Sequence, residues 1–120
     1  MQLQVKGKNL EVSTSIRTYA EKKLAKLERQ LHPLTEVEVE LQVERNPSIS
    51  ANQVAEAIVR LKGHTLRARE ATEDMKASID ELTEKLLRQI KEERAKRRRR
   101  RGPGLKELEL EPISPDVPLE

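Results

Sequence analysis

The residue types in this 120-residue chain that could do chemistry are cations at helical spacing. Lys22, Lys26 and Arg29 follow one another at steps of four and three, with Lys23 alongside, and Lys85, Arg88 and Lys91 form a second row at steps of three. Arg97, Arg98, Arg99, Arg100 and Arg101 then form an uninterrupted run. Lysine and arginine in rows bind phosphates: each contact releases condensed counterions, and the helix supplies a straight scaffold for the row. Such rows also occur as solvated helix faces, and Glu21, Glu28, Glu84 and Glu92 stand near enough to neutralise part of them. Five adjacent like charges repel one another and have little structural use, so the arginine run favours a polyanion more sharply than either stripe alone.

The other reactive residue types form no site in sequence. Cysteine is absent, which excludes disulfides and thiolate metal centres, and His32 and His64 are too few for most metal sites. His64 belongs to a turn and His32 to a helix end before Pro33. Asp74 and Asp80 suit the start and outer face of a helix, and the glutamates of residues 36–44 are strand alternation. Gly102-Pro103-Gly104 lacks the strand and helix that a phosphate loop requires. The expectation is a binding protein and not an enzyme, with no cofactor, no metal and no small-molecule substrate.

Charge is unevenly distributed. Residues 105–120 hold Lys106 against Glu107, Glu109, Glu111, Asp116 and Glu120, so residues 1–104 carry a net +7 within a whole-chain charge of +3. A basic domain favours nucleic acid. No apolar run reaches signal-peptide or membrane-span length, which leads to the expectation of a soluble, cytoplasmic protein without a membrane partner.

The elements that must position these cations are legible from periodicity. Leu3-Gln4-Val5-Lys6-Gly7 alternates like a short strand. Ser13 or Thr14 can cap a helix running to about Leu31, with Ile16, Ala20, Leu24, Leu27 and Leu31 as its buried stripe. Val37, Val39, Leu41 and Val43 alternate with charged or polar neighbours over residues 36–44. Ala55, Ala57, Val59 and Leu61 alternate likewise with Glu56, Ile58, Arg60 and Lys62; a turn at Gly63-His64 leads into a third run around Leu66 and Ala68. Thr72 caps a second helix in this reading, with Glu73 and Asp74 in its first turn, the stripe Met75, Ile79, Leu82, Leu86, Ile90, and a continuation into the arginine run until Gly102. The expected architecture is α+β: a β-α-β-β-β-α two-layer sandwich, a four-stranded sheet with both helices on one face. Residues 1–95 would form the domain, 96–104 a basic helix extension with its Gly-Pro-Gly break, and 105–120 an acidic disordered tail or linker.

The outer sheet face would set Glu36, Glu38, Glu40 and Glu44 beside Arg60, Lys62, Arg67 and Arg69, as pairs across strands. Tyr19 is the one aromatic residue of the chain, so base stacking on an exposed sheet is not expected.

Met1-Gln2-Leu3-Gln4-Val5-Lys6-Gly7-Lys8-Asn9-Leu10-Glu11-Val12-Ser13, with Ile16-Arg17 and Lys23-Leu24-Ala25-Lys26-Leu27-Glu28, resembles the N-terminal half of the ribosome hibernation promoting factors, also called ribosome-associated inhibitors. Glu73-Asp74-Met75-Lys76-Ala77-Ser78-Ile79-Asp80 and Lys85-Leu86-Leu87-Arg88-Gln89-Ile90 resemble their second-helix motif. The resemblance covers residues 1 to about 95. It implies the same fold and binding in the channel of the small ribosomal subunit where messenger and transfer RNA sit, so that translation is blocked and idle ribosomes are preserved in stationary phase. The partner would be the small subunit and its ribosomal RNA. The family's basic helix positions fall on Arg17, Lys23, Lys26, Lys85, Arg88 and Lys91. The family usually has tyrosine where this chain has Lys76, and its long members continue into a C-terminal domain that pairs a second ribosome. Two alternatives stand beside this reading: a protein-interaction module acting on a sigma-54 transcription factor, and a nonspecific binder of double-stranded RNA.

Overall fold

A computed structural model describes the backbone of residues 1–101 and the side chains of residues 1–96. The expected break at Gly102-Pro103-Gly104, the acidic tail and the side chains of Arg97 to Arg101 lie outside the described residues. The elements in chain order are β1 (Gln2–Gly7), α1 (Thr14–Leu24), a 3-10 helix η1 (Ala25–Gln30), β2 (Glu36–Val43), β3 (Gln53–Leu61), β4 (His64–Thr72) and α2 (Met75–Arg101). Two compact units divide between Arg88 and Gln89. The first holds the sheet, α1, η1 and α2 through Arg88. The second begins at Gln89, and its described part is helical from there to Arg101.

The sheet order is β1-β2-β3-β4. β1 lies parallel to β2, the crossover between them being α1 and η1, and the other neighbours are antiparallel. Register follows from alternation: a shift of one residue would turn every apolar side chain to the wrong face. Leu3, Val37, Val59 and Leu66 form one row across the sheet, and Val5, Val39, Ala57 and Ala68 the next. All eight are buried or half-buried, and the second row is wholly buried. Ala20, Leu24 and Leu27 from the first helical segment and Met75, Ile79, Leu82 and Leu86 from α2 are also buried, completing a two-layer core. Burying each large aliphatic side chain contributes about 1.5–3 kcal/mol. Beyond the division at Arg88, Ile90 is buried as well.

Ser13 caps α1: its side-chain oxygen accepts from the Ile16 amide at 3.1 Å and its carbonyl from the Arg17 amide at 2.9 Å. The helix does not stay α-helical to Leu31 as its periodicity suggests. It ends at Leu24 and tightens into η1, a common way for a helix to satisfy its last carbonyls before Pro33 stops it. The cap of α2 is Asp74 and not Thr72. The Asp74 carboxylate accepts from the Ala77 amide at 3.1 Å and its carbonyl from the Ser78 amide at 3.0 Å. Thr72 closes β4 instead, and its hydroxyl bonds Asp74 and Ser78. Glu73 and Asp74 therefore precede the helix, where their charge still meets its N-terminal dipole.

Two turns demand glycine for different reasons. Gly63 has φ +93° in the two-residue link between β3 and β4, with open space where a Cβ would stand, so backbone conformation alone requires it. At Gly7 a Cβ would collide with the Leu10 carbonyl, where the chain doubles back through Asn9 at φ 56°.

Candidate polyanion-binding face

The change from α to 3-10 winding at Ala25 decides where the bases of the first helix point. At three residues per turn, positions three apart stack in line. Leu24 and Leu27 thus share the buried row, while Lys26 and Arg29 share an exposed one. Lys23 precedes Lys26 by three and nearly continues that row. Lys22, about 100° round from Lys23, points to the outside. Lys23 lies on the side of α1 that faces α2, one turn after Tyr19, which reaches across to that helix.

The Tyr19 hydroxyl donates to Asp80 Oδ1 at 2.7 Å, and Lys23 Nζ approaches the same oxygen at 3.5 Å. Lys23 Nζ and Lys76 Nζ stand 5.7 and 5.3 Å from the centroid of the Tyr19 ring. Asp80, expected on an outer helix face, thus faces α1 and joins the two helices. Its hydrogen bond, then partial burial, then the charges of Asp80 and Asp74 hold the Tyr19 phenol above its ordinary pKa. The ion pair is half-exposed, which limits it to about 0.2–1 kcal/mol.

The remaining predicted bases fall into different settings. Arg17 donates from its guanidinium to the Val5 carbonyl, tying α1 to the edge strand β1 and leaving its other N–H groups for a ligand. Lys85 pairs with Glu70 of β4 at 3.2 Å. It lies on the side of α2 shared with Ser78, which bonds the Gln53 carbonyl of β3, and not on the side of Asp80. Arg88, one step of three further, is turned outward and exposed. Lys91, in the second unit, is exposed too. Among the described residues, Lys22, Lys26, Arg29, Arg88 and Lys91 have no carboxylate within 4 Å. Lys76 is the exposed cation that spacing missed: it stands in none of the stripes, and only its position one turn before Asp80 hints at the groove between the helices.

On the outer sheet face two pairs close between neighbouring strands. Arg60 reaches Glu38 at 3.4 Å and Arg69 reaches Glu56 at 4.0 Å. No group of His, Cys, Asp and Glu side chains that could hold a metal exists among the described residues, and no described helix is long and apolar enough to cross a membrane.

A two-layer α+β domain with exposed bases along two adjacent helices is the class that fold and surface define. Residues 3–98 match the family described as sigma 54 modulation protein / S30EA ribosomal protein, and the chain belongs to that family. It is 36% identical over 97 residues to the ribosome hibernation promotion factor of Picosynechococcus sp., covering 80% of this chain and 50% of that protein. It is 35% identical over 96 residues to the ribosome hibernation promoting factor of Pseudomonas putida, covering 80% of this chain and 89% of that one. The chain thus spans about half the length of the first relative and most of the second. Among solved structures, the N-terminal domain of Protein Y from Thermus thermophilus superposes with a TM-score of 0.64 at 33% identity, over 77% of this chain and 98% of that one. A ribosomal subunit interface protein from Coxiella burnetii shares the fold, with a TM-score of 0.65 at 24% identity over 79% of this chain and 99% of that one.

Proposed function

We propose that this protein is a ribosome hibernation factor that binds the small ribosomal subunit in the channel for messenger and transfer RNA and thereby blocks translation. The names of its relatives support a ribosomal role. The observation that carries the rest is the uncompensated charge on the helical face: Lys22, Lys26, Arg29 and Arg88 are exposed cations without carboxylate neighbours among the described residues. They are the residues whose electrostatic energy a phosphate can improve most. With no aromatic on the outer sheet face to stack a base, recognition would come from RNA shape and phosphate placement. Arg17, Lys23, Lys85, Lys91 and the run Arg97 to Arg101 would extend the contact, Lys23 and Lys85 by exchanging a carboxylate for a phosphate.

Co-sedimentation with isolated small and large subunits at near-physiological salt, for wild type and a Lys26→Glu/Arg88→Glu double variant, tests this reading. The expected result is selective binding to the small subunit, reduced at least about tenfold in the variant by reversal of two phosphate contacts. Equal binding to both subunits would make the protein a nonspecific RNA binder, and no binding to either would point to a protein partner.

A further inference from the structure

We propose that the groove between α1 and α2 at Tyr19 is a subsite for one RNA backbone phosphate, taken by Lys23 and Lys76, with Asp80 as an internal counter-anion that the phosphate replaces. The inference rests on the RNA-binding reading above and adds to it Lys76 as a second ligand and Asp80 as a residue that governs specificity. Two ammonium groups from different helices converge on a single ring, although like charges repel. Ring and carboxylate together hold them there: the negative face of the phenol attracts both cations, and Asp80 Oδ1 takes Lys23. Asp74, the other acid whose charge reaches Tyr19, bonds the Ala77 amide at the N-terminus of α2, where the helix dipole already offsets it. Asp80 is therefore the anion opposing the two lysines.

A carboxylate in that place has two effects on an incoming phosphate. It repels the phosphate and occupies Lys23, so it weakens binding wherever the RNA does not present a phosphate to the groove. It is also easily displaced, because the Lys23–Asp80 pair is half-exposed and correspondingly weak. The Tyr19 hydroxyl remains as a donor to Asp80 when Lys23 leaves, so the helices stay joined during the exchange. Asp80 thus acts as a specificity-determining residue, suppressing binding to arbitrary polyanions more than binding to a fitted site.

The test measures binding to isolated small subunits and to an unrelated RNA duplex over a series of salt concentrations, for wild type, Lys76→Gln, Asp80→Asn and the Lys26→Glu/Arg88→Glu control. Lys76 is exposed, so its variant folds. The expected result is a log–log salt slope for small subunits lower by roughly one in Lys76→Gln. Asp80→Asn, which keeps an acceptor for Tyr19, should bind the unrelated duplex about two- to fivefold more tightly than wild type. A Lys76→Gln slope equal to wild type, while the control loses binding, overturns the subsite and leaves the general reading intact. An Asp80→Asn variant that melts like wild type yet gains no affinity for the duplex overturns the counter-anion role. If wild type itself ignores small subunits, the underlying reading fails first.

Discussion

The two outer surfaces of the first unit are built from similar amounts of charge and arrive at opposite electrostatics. On the sheet, arginine and glutamate occupy neighbouring strands whose spacing brings them within reach, and Arg60–Glu38 and Arg69–Glu56 close as pairs. On the helices, carboxylates are as near in sequence, yet Lys26, Arg29 and Arg88 stay unmatched among the described residues. Geometry makes the difference. Cross-strand partners are fixed by backbone register, whereas on the first helix the 3-10 turn sets Glu28 away from the row of Lys26 and Arg29. A surface count of charges therefore says little about binding, and the fraction left uncompensated says more.

The largest expected effect strikes what both surfaces share. Leu86 is fully buried on α2 within the first unit. Leu86→Ala should cost about 2–5 kcal/mol in denaturant unfolding, from lost transfer energy and the cavity left behind. It would also lower ribosome binding by unfolding the scaffold; loss of binding without loss of stability would instead give Leu86 a role at the interface.

A smaller effect separates the surfaces. Reversing the sheet cations, Arg60→Glu with Arg69→Glu, breaks two exposed pairs worth about 0.2–1 kcal/mol each and sets like charges opposite one another. Stability should fall by an amount of that order, while small-subunit binding at moderate salt stays within about twofold of wild type, since only screened long-range attraction changes. A tenfold loss of binding in this variant would move the RNA contact to the sheet and erase the contrast between the faces.

The sequence made the strands plain because alternation has a period of two, and β2 repeats it without interruption from Glu36 to Val43. Strand ends were less legible: Val54 is buried outside the expected run of Ala55, Ala57 and Val59, on the opposite row of the sheet. The cap of α2 is ambiguous in sequence because Thr72 and Asp74 are both good cap residues two positions apart, and only the backbone trace distinguishes them. The basic residues were visible as stripes, but the α to 3-10 change was not. A repeat of three and one of 3.6 diverge too little over six residues to be read from Leu24 and Leu27. Steps of three along α2 also drift round the helix, so the apparent stripe Lys85, Arg88 turns from the β4 side to the outside. Lys76 carried no periodic signal, and its relation to Tyr19 and Asp80 depends on two helices fifty residues apart in sequence meeting side by side.

The smallest expected effect sharpens the contrast at a place where the helical face is compensated, the joint between Tyr19, Lys23 and Asp80. Tyr19 is the only tyrosine and the chain has no tryptophan, so the ultraviolet absorbance of phenolate reports this residue alone. Donation to Asp80 stabilises the protonated phenol, and the carboxylate charge disfavours the phenolate, so the folded-state pKa stands above the ordinary value near 10. The folded protein then binds more protons than the unfolded chain between those two values. The contribution of this contact to stability is whole below pH 10 and is lost as pH rises through the folded-state pKa. Asp80→Asn should lower the titration midpoint by removing the charge while keeping an acceptor, and Tyr19→Phe should flatten this part of the alkaline stability profile. A wild-type midpoint at the ordinary value would mean that the phenol does not hold Asp80 in solution. Lys23 would then keep the carboxylate alone, and the joint between the two helices would rest on a single exposed ion pair.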